Sequence, residues 1–153
     1  MIVFRLSKGK YRNDLSGKGA ELTGGRWNST GMAMLYTSAS QALCLCEIAV
    51  HLPLGIIPKD YYLLSLEVPD DMDILELTVA DLPADWQAVP PSNNTQVIGD
   101  QFLSEGTYVC LKVPSAVVPG EYNYLFNPSH PAFSKIKIIS AALMTFDSRL
   151  FTR

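Results

Sequence analysis

The sequence is poor in the residues that build metal centres, disulfide frameworks and nucleic-acid surfaces. Its three cysteines are an odd number without framework spacing, and Cys44 and Cys46 lie two apart on a predicted helix, pointing in different directions. No second Cys/His pair completes a zinc site, which leaves them as small core residues in a reducing compartment. Two histidines, His51 and His130, are too few for a metal triad and read as a helix-end residue and a turn residue. Neither is marked as the base of a serine triad, and Gly-x-Ser-x-Gly is absent. No apolar run reaches the ~18 residues of a membrane span, and no charged start precedes a short apolar core. The expectation is therefore a cytoplasmic protein without signal peptide or membrane segment. A formal net charge of −3 excludes the broad basic field that generic nucleic-acid binding needs. Phosphate-binding signatures are missing as well. Gly17-Lys18-Gly19 is followed by no Gly-Lys-Ser/Thr, and no Gly-x-Gly-x-x-Gly joins a strand to a helix.

What is present is the composition of one folded domain over residues 1–153, at 48% hydrophobic and 18% charged residues. Ten prolines and ten glycines indicate many short elements. Strands are predicted at Ile2–Leu6, Met32–Thr37, Tyr61–Val68, Ile74–Leu77, Tyr108–Val113, Tyr122–Phe126 and Ile136–Phe146. Two helices are predicted. One runs from a cap at Ser38 or Ser40 to about Leu52, and one covers Asn94–Ser104, where Glu105-Gly106 stops it. The segment Ser7–Gly31 is too long to be an idle connection. Strands outnumber helices without a βαβ alternation, so the predicted class is α+β with a mixed, mainly antiparallel sheet.

The stretch Gly19–His51, GAELTGGRWNSTGMAMLYTSASQALCLCEIAVH, concentrates the candidate chemistry. Glu47 is the only charged side chain between Ser38 and Leu52, in a helix apolar on every face and hence expected to be surrounded by protein. A carboxylate there is costly unless paired, hydrogen-bonded or protonated. Either it forms a structural ion pair with an arginine, or it is held dry and oriented for function. Arg26 follows Gly24-Gly25, glycines that allow close backbone approach or positive φ. Six of the twelve Lys/Arg fall between Arg5 and Arg26 against two acids there, a local excess that suits a small phosphorylated anion or simply a solvated basic loop. Arg5, Arg26, Tyr36, Glu47, Ser115 and Asn127 all lie at the ends of apolar segments. Together they offer guanidinium forks for a diphosphate, an aromatic face for a flat ring and one carboxylate. Such a set suits NAD, with the carboxylate facing positive charge that develops at the nicotinamide–ribose carbon.

At these residues the chain resembles a known family. Gly-x-Gly-Ala, Gly-Gly-Arg-Trp-Asn-x-x-Gly, Leu-Tyr-Thr-Ser and Cys-Glu-Ile-Ala-Val-His are similar to motifs of the RES domain, named for an arginine, a glutamate and a serine. Val113-Pro114-Ser115-Ala116-Val117-Val118-Pro119 and Asn123-Tyr124-Leu125-Phe126-Asn127-Pro128 resemble its closing segments, so the likeness spans nearly the whole chain. The Cys44/Cys46 pair departs from the small or aliphatic residues expected there. The resemblance implies the fold of ADP-ribosyltransferase toxins, with Arg26, Glu47 and Ser115 catalytic and Arg5, Arg26, Tyr36 and Asn127 binding NAD. It implies a bacterial toxin neutralised by an Xre-like antitoxin, with NAD as substrate, no metal and no further cofactor. It also leaves room for a homodimer within the toxin–antitoxin complex. Water, phosphate or a macromolecular side chain could accept the ADP-ribose, and a non-catalytic binding module, with Arg26 paired to Glu47, is the alternative from a different class.

Overall fold

The computed structural model describes residues 1–152. Seven strands form one sheet: β1 (Ile2–Lys8), β2 (Leu35–Ser38), β3 (Tyr61–Glu67), β4 (Ile74–Glu76), β5 (Cys110–Pro114), β6 (Tyr122–Phe126) and β7 (Lys137–Leu143). Their order is β4-β5-β6-β2-β1-β3-β7, and every pair is antiparallel except β4 with β5. The helices are α1 (Lys18–Thr23), α2 (Gln41–His51) and α3 (Asn93–Glu105). The expected α+β class and the mainly antiparallel sheet are what is found.

Alternation along the central strands divides the interior into two cores. Cys110 and Phe126 enter a cluster with Val3, Leu35, Leu64 and Leu66, whereas their neighbours Leu111 and Leu125 enter one with Trp27, Met34, Phe102 and Val113. Successive side chains of a strand point to opposite faces, so β5 and β6 supply both clusters at once. Each fully buried aliphatic contributes roughly 1.5–3 kcal/mol, which fixes these strands as the rigid middle of the molecule.

The element boundaries differ from the sequence reading in instructive ways. A helix, α1, forms inside Ser7–Gly31, where Lys18-Gly19-Ala20-Glu21 carries no apolar period to announce it. Gly17 before it has φ 71°, and a Cβ there would come within 2.8 Å of the Met34 backbone, so glycine is required. Ser40, not Ser38, caps α2, accepting from the Leu43 amide at 3.1 Å. Ser38 ends β2.

The expectation that α2 is surrounded by protein is not met. Only Leu43 and Cys44 are buried on it, Cys46 is exposed rather than a core residue, and Val50 is 59% exposed. The helix lies across β1 and β2 and so covers one stripe of itself. Helix α3 ends at Gly106, left-handed at φ 59°, as its sequence predicts. Strand β7 stops at Leu143, short of Phe146, whose ring turns inward to meet Tyr61 and Phe151 edge-on.

Candidate functional site

Glu47 projects from the middle of α2 onto the central strands, where it meets no arginine. Its Oε1 accepts from the Ser115 hydroxyl at 3.1 Å and from Asn123 Nδ2 at 2.8 Å. Among the described residues it forms no salt bridge, so the structural ion pair is not what holds it. Oε2 accepts from no protein group and is not among the buried polar atoms that lack a partner, so it faces open space.

Ser115 is 2% exposed and begins a turn after β5. Its Oγ accepts from the amides of Val117 and Val118, both at 3.1 Å, so its own proton has Glu47 Oε1 as partner. The sequence places Ser115 at the end of an apolar segment, and the structure adds the contact across 68 residues.

Arg26 stands at the tip of a tight turn in which Gly25 and Asn28 pair backbone to backbone. The guanidinium Nη1 donates to the carbonyls of Trp86 at 2.7 Å and Ala88 at 3.0 Å. Nε and Nη2 have no protein partner and are not buried, so one side of the fork remains open. Burial holds this guanidinium below its usual value, while the Glu47 carboxylate acts the other way. Among the described residues no salt bridge joins Arg26 to Glu47.

Tyr36 braces that turn. Its hydroxyl accepts from the Trp27 amide at 3.0 Å and donates to Asn28 Oδ1 at 2.7 Å. Burial pushes the phenol well above its usual value, with the Trp27 hydrogen bond a smaller opposing effect, so it stays a neutral donor. The Asn28 amide donates in turn to the carbonyls of Ala20, at 2.8 Å, and Met32, at 2.9 Å. Helix α3 closes the turn from outside. Gln96 Nε2 donates to the Gly25 carbonyl at 3.0 Å, and the Asp100 carboxylate accepts from the Ser29 amide and hydroxyl.

Two predicted residues stand apart from this group. Arg5 donates from Nη1 to the Tyr36 carbonyl at 3.0 Å, and its Nε is buried without a partner. Burial lowers its pKa, Asp14 and then Cys44 oppose that, and neither Glu47 nor Arg26 enters among its charged neighbours. Asn127 does not orient Glu47. Its amide donates to the Leu103 carbonyl at 3.2 Å and its Oδ1 accepts from the Ser129 amide at 3.0 Å, bracing the turn before Pro128. It lines a separate shallow depression with Glu21, Gly31, Met32, Ala33, Leu103 and Ser129. The amide that reaches Glu47 belongs to Asn123, which the sequence places in a strand and in a family-like closing segment without a role of its own. Its signal was an asparagine inside a strand, a position that residue usually avoids. His51 ends α2 and His130 begins a turn, its Nδ1 accepting from the Ala132 amide at 3.1 Å, as their sequence contexts predict.

The chain is similar to known proteins along nearly its whole length. The RES domain model matches residues 2–147. A protein of Sphingobium sp. (strain YBL2) named Prs ADP-ribosylating toxin is 38% identical over 92% of this chain and 89% of its own length. Toxin Res of Photorhabdus laumondii is 38% identical over 98% of this chain and 97% of its own length. In the crystal structure of the M. tuberculosis MbcT–MbcA toxin–antitoxin complex, a chain superposes at a TM-score of 0.73 and 20% identity, covering 98% of this chain and 86% of that one. The last match concerns the fold alone. With the family model covering nearly all of it and relatives matched almost end to end, this chain belongs to the RES family.

Proposed function

We propose that this chain is the toxin of a toxin–antitoxin pair and that it cleaves the bond between nicotinamide and ribose in NAD. The observation that carries the reading is a carboxylate fixed through one oxygen by Ser115 and Asn123, in no salt bridge among the described residues, its other oxygen without a protein donor. In the reaction the N-glycosidic electron pair leaves with nicotinamide, and positive charge grows on the ribose carbon. Glu47 Oε2 accepts from a ribose hydroxyl and faces that charge. A negative group already in place at developing charge lowers the barrier by about 3–4 kcal/mol in measured cases. The open side of Arg26 binds a diphosphate oxygen, and the Tyr36 ring lies near nicotinamide while its hydroxyl holds the turn. Arg5 and Asn127, which stand apart from this group, act through the backbone they brace. Water or phosphate then bonds to the ribose carbon, so that no cofactor is consumed besides NAD itself.

A second reading has its own support, since a relative at 38% identity bears the name ADP-ribosylating toxin. There a macromolecular side chain replaces water or phosphate as acceptor. Incubation with NAD, with and without phosphate, followed by mass spectrometry of the products separates the two. Free ADP-ribose or its 1″-phosphate supports the first reading; a labelled protein with little free product supports the second. NAD left intact in every condition excludes both, leaving the binding module. The expected partner is an antitoxin, as the likeness to a toxin–antitoxin complex supports. We further propose, on the family resemblance alone, that it is Xre-like and that two toxins pair inside the assembly. Among the described residues no helix is long and apolar enough to cross a membrane, which is compatible with action on cytoplasmic NAD.

A further inference from the structure

We infer that Asn123, locked by Ser38, is a positioning residue that decides which oxygen of Glu47 meets the ribose. The inference rests on the NAD-cleaving reading and adds to it two residues outside the arginine–glutamate–serine set. Asn123 sits in β6 between β2 and β5, opposite Ser38 on one side and Val113 on the other. Ser38 is 5% exposed, and its hydroxyl donates to Asn123 Oδ1 at 3.0 Å. Every direction in this chain is forced by chemistry. An amide oxygen only accepts, so Ser38 must be the donor; an ionised carboxylate also only accepts, so Nδ2 must face Glu47. Were the amide turned over, two acceptors would oppose each other at Glu47, and the Ser38 hydroxyl, which can also accept, would not compensate for that loss.

The consequence lies in the asymmetry of Glu47. Asn123 and Ser115 both donate to Oε1, at 2.8 and 3.1 Å, and no protein group donates to Oε2. Ser115 alone would leave the carboxylate a single tether about which to swing. Two donors, one on β6 and one in the turn after the adjacent β5, converge on one oxygen, fix the plane of the group and present the other oxygen outward. Cys44, buried on α2, has Ser38 as a hydrogen-bonding neighbour, and as burial pushes its thiol up to about 11 it stays neutral there. Prearranged geometry of this kind acts on the chemical step and leaves substrate affinity nearly untouched.

The test measures NAD consumption by the full chain carrying Asn123→Ala, Ser38→Ala or Ser38→Thr. Asn123→Ala should lower kcat about ten- to a hundredfold with KM within about threefold, the size seen when outer hydrogen-bond partners are removed. Ser38→Ala should lower kcat by roughly three- to tenfold, and Ser38→Thr, which keeps the hydroxyl, should restore it. A loss confined to KM, or an unchanged kcat in Asn123→Ala, would overturn the inference. So would a Ser38→Thr variant no better than Ser38→Ala, which keeps the test sharp should Asn123→Ala fail to fold. The Asn123 side-chain amide resonance gives a readout free of turnover. It should shift in Glu47→Ala and in Ser38→Ala, and indifference to both would show that the relay does not exist in solution. Should that resonance respond while wild-type protein leaves NAD intact, the positioning contact stands and the NAD-cleaving reading falls.

Discussion

The turn that carries Arg26 and the helix that carries Glu47 are built by opposite means. The turn is held by backbone and side-chain hydrogen bonds from every direction: Tyr36 and Asn28 from within, Gln96 and Asp100 from α3, and the Trp86 and Ala88 carbonyls at the guanidinium itself. Glu47 sits on a half-exposed helix and is held by two side chains acting on one oxygen. In the turn, geometry is inseparable from the fold. At the acid, geometry is a local matter of two donors. Variants of the first region should therefore lose stability, and variants of the second should lose rate.

Gly99→Ala should give the largest change in stability. A Cβ on Gly99 would lie 1.6 Å from the Trp27 carbonyl oxygen, an impossible contact with backbone. Helix α3 must lift off the turn, at a cost of about 3 kcal/mol or more, which thermal denaturation will register as a large fall in Tm. An unchanged Tm would mean that α3 does not clamp the turn.

Tyr36→Phe keeps the ring and removes the hydroxyl that bridges Trp27 and Asn28. Two buried polar groups lose their partner, so about 2 kcal/mol should disappear in denaturant titration. Activity should follow the loss of folded protein if the hydroxyl is only a brace. A loss of activity far beyond the unfolded fraction would give Tyr36 a direct role and blur the contrast between the two regions.

The smallest effect concerns Cys44, the neighbour of Ser38. Burial first of all raises this thiol from 9.0 to about 11, while Ser38 and Arg5 oppose the shift. A group whose folded pKa is raised contributes stability that is complete below the unfolded value and is lost as pH climbs through the folded one. The contribution should therefore be intact at pH 8 and reduced by about 1 kcal/mol at pH 10. Stability of wild type and Cys44→Ala, compared at the two pH values, should show a steeper alkaline decline in the wild type. Parallel declines would remove Cys44 from the account.

The same contrast explains what could be read from residues in order. Motifs close in sequence were accessible: the glycines before Arg26, the cap at Ser40, the stop at Gly106, and Glu47 as the lone charge of an apolar helix. Ser115 was identified as a candidate, while its contact with Glu47 depended on the turn after β5 reaching α2 across 68 residues of sequence. Long-range partners left only faint marks. Gly99, in the middle of α3, and Asn123, in the middle of β6, are residues those elements ordinarily avoid, and each stands where another part of the chain approaches closely. Asn127 was expected at the nucleotide, but it stands before Pro128, a local turn position, and its side chain braces that turn. The exposure of α2 was missed because apolar residues on all faces do not say which face meets the sheet.

The central claim is that the open oxygen of Glu47 stabilises charge on the ribose carbon. Its most direct test is the rate of nicotinamide release from NAD by wild type and by Glu47→Gln, which keeps an oxygen for Ser115 and Asn123 but turns an amide toward the sugar. The account predicts steady release by the wild type and a fall of at least about a hundredfold in a variant that melts at the same temperature. Equal rates in the two proteins would contradict it.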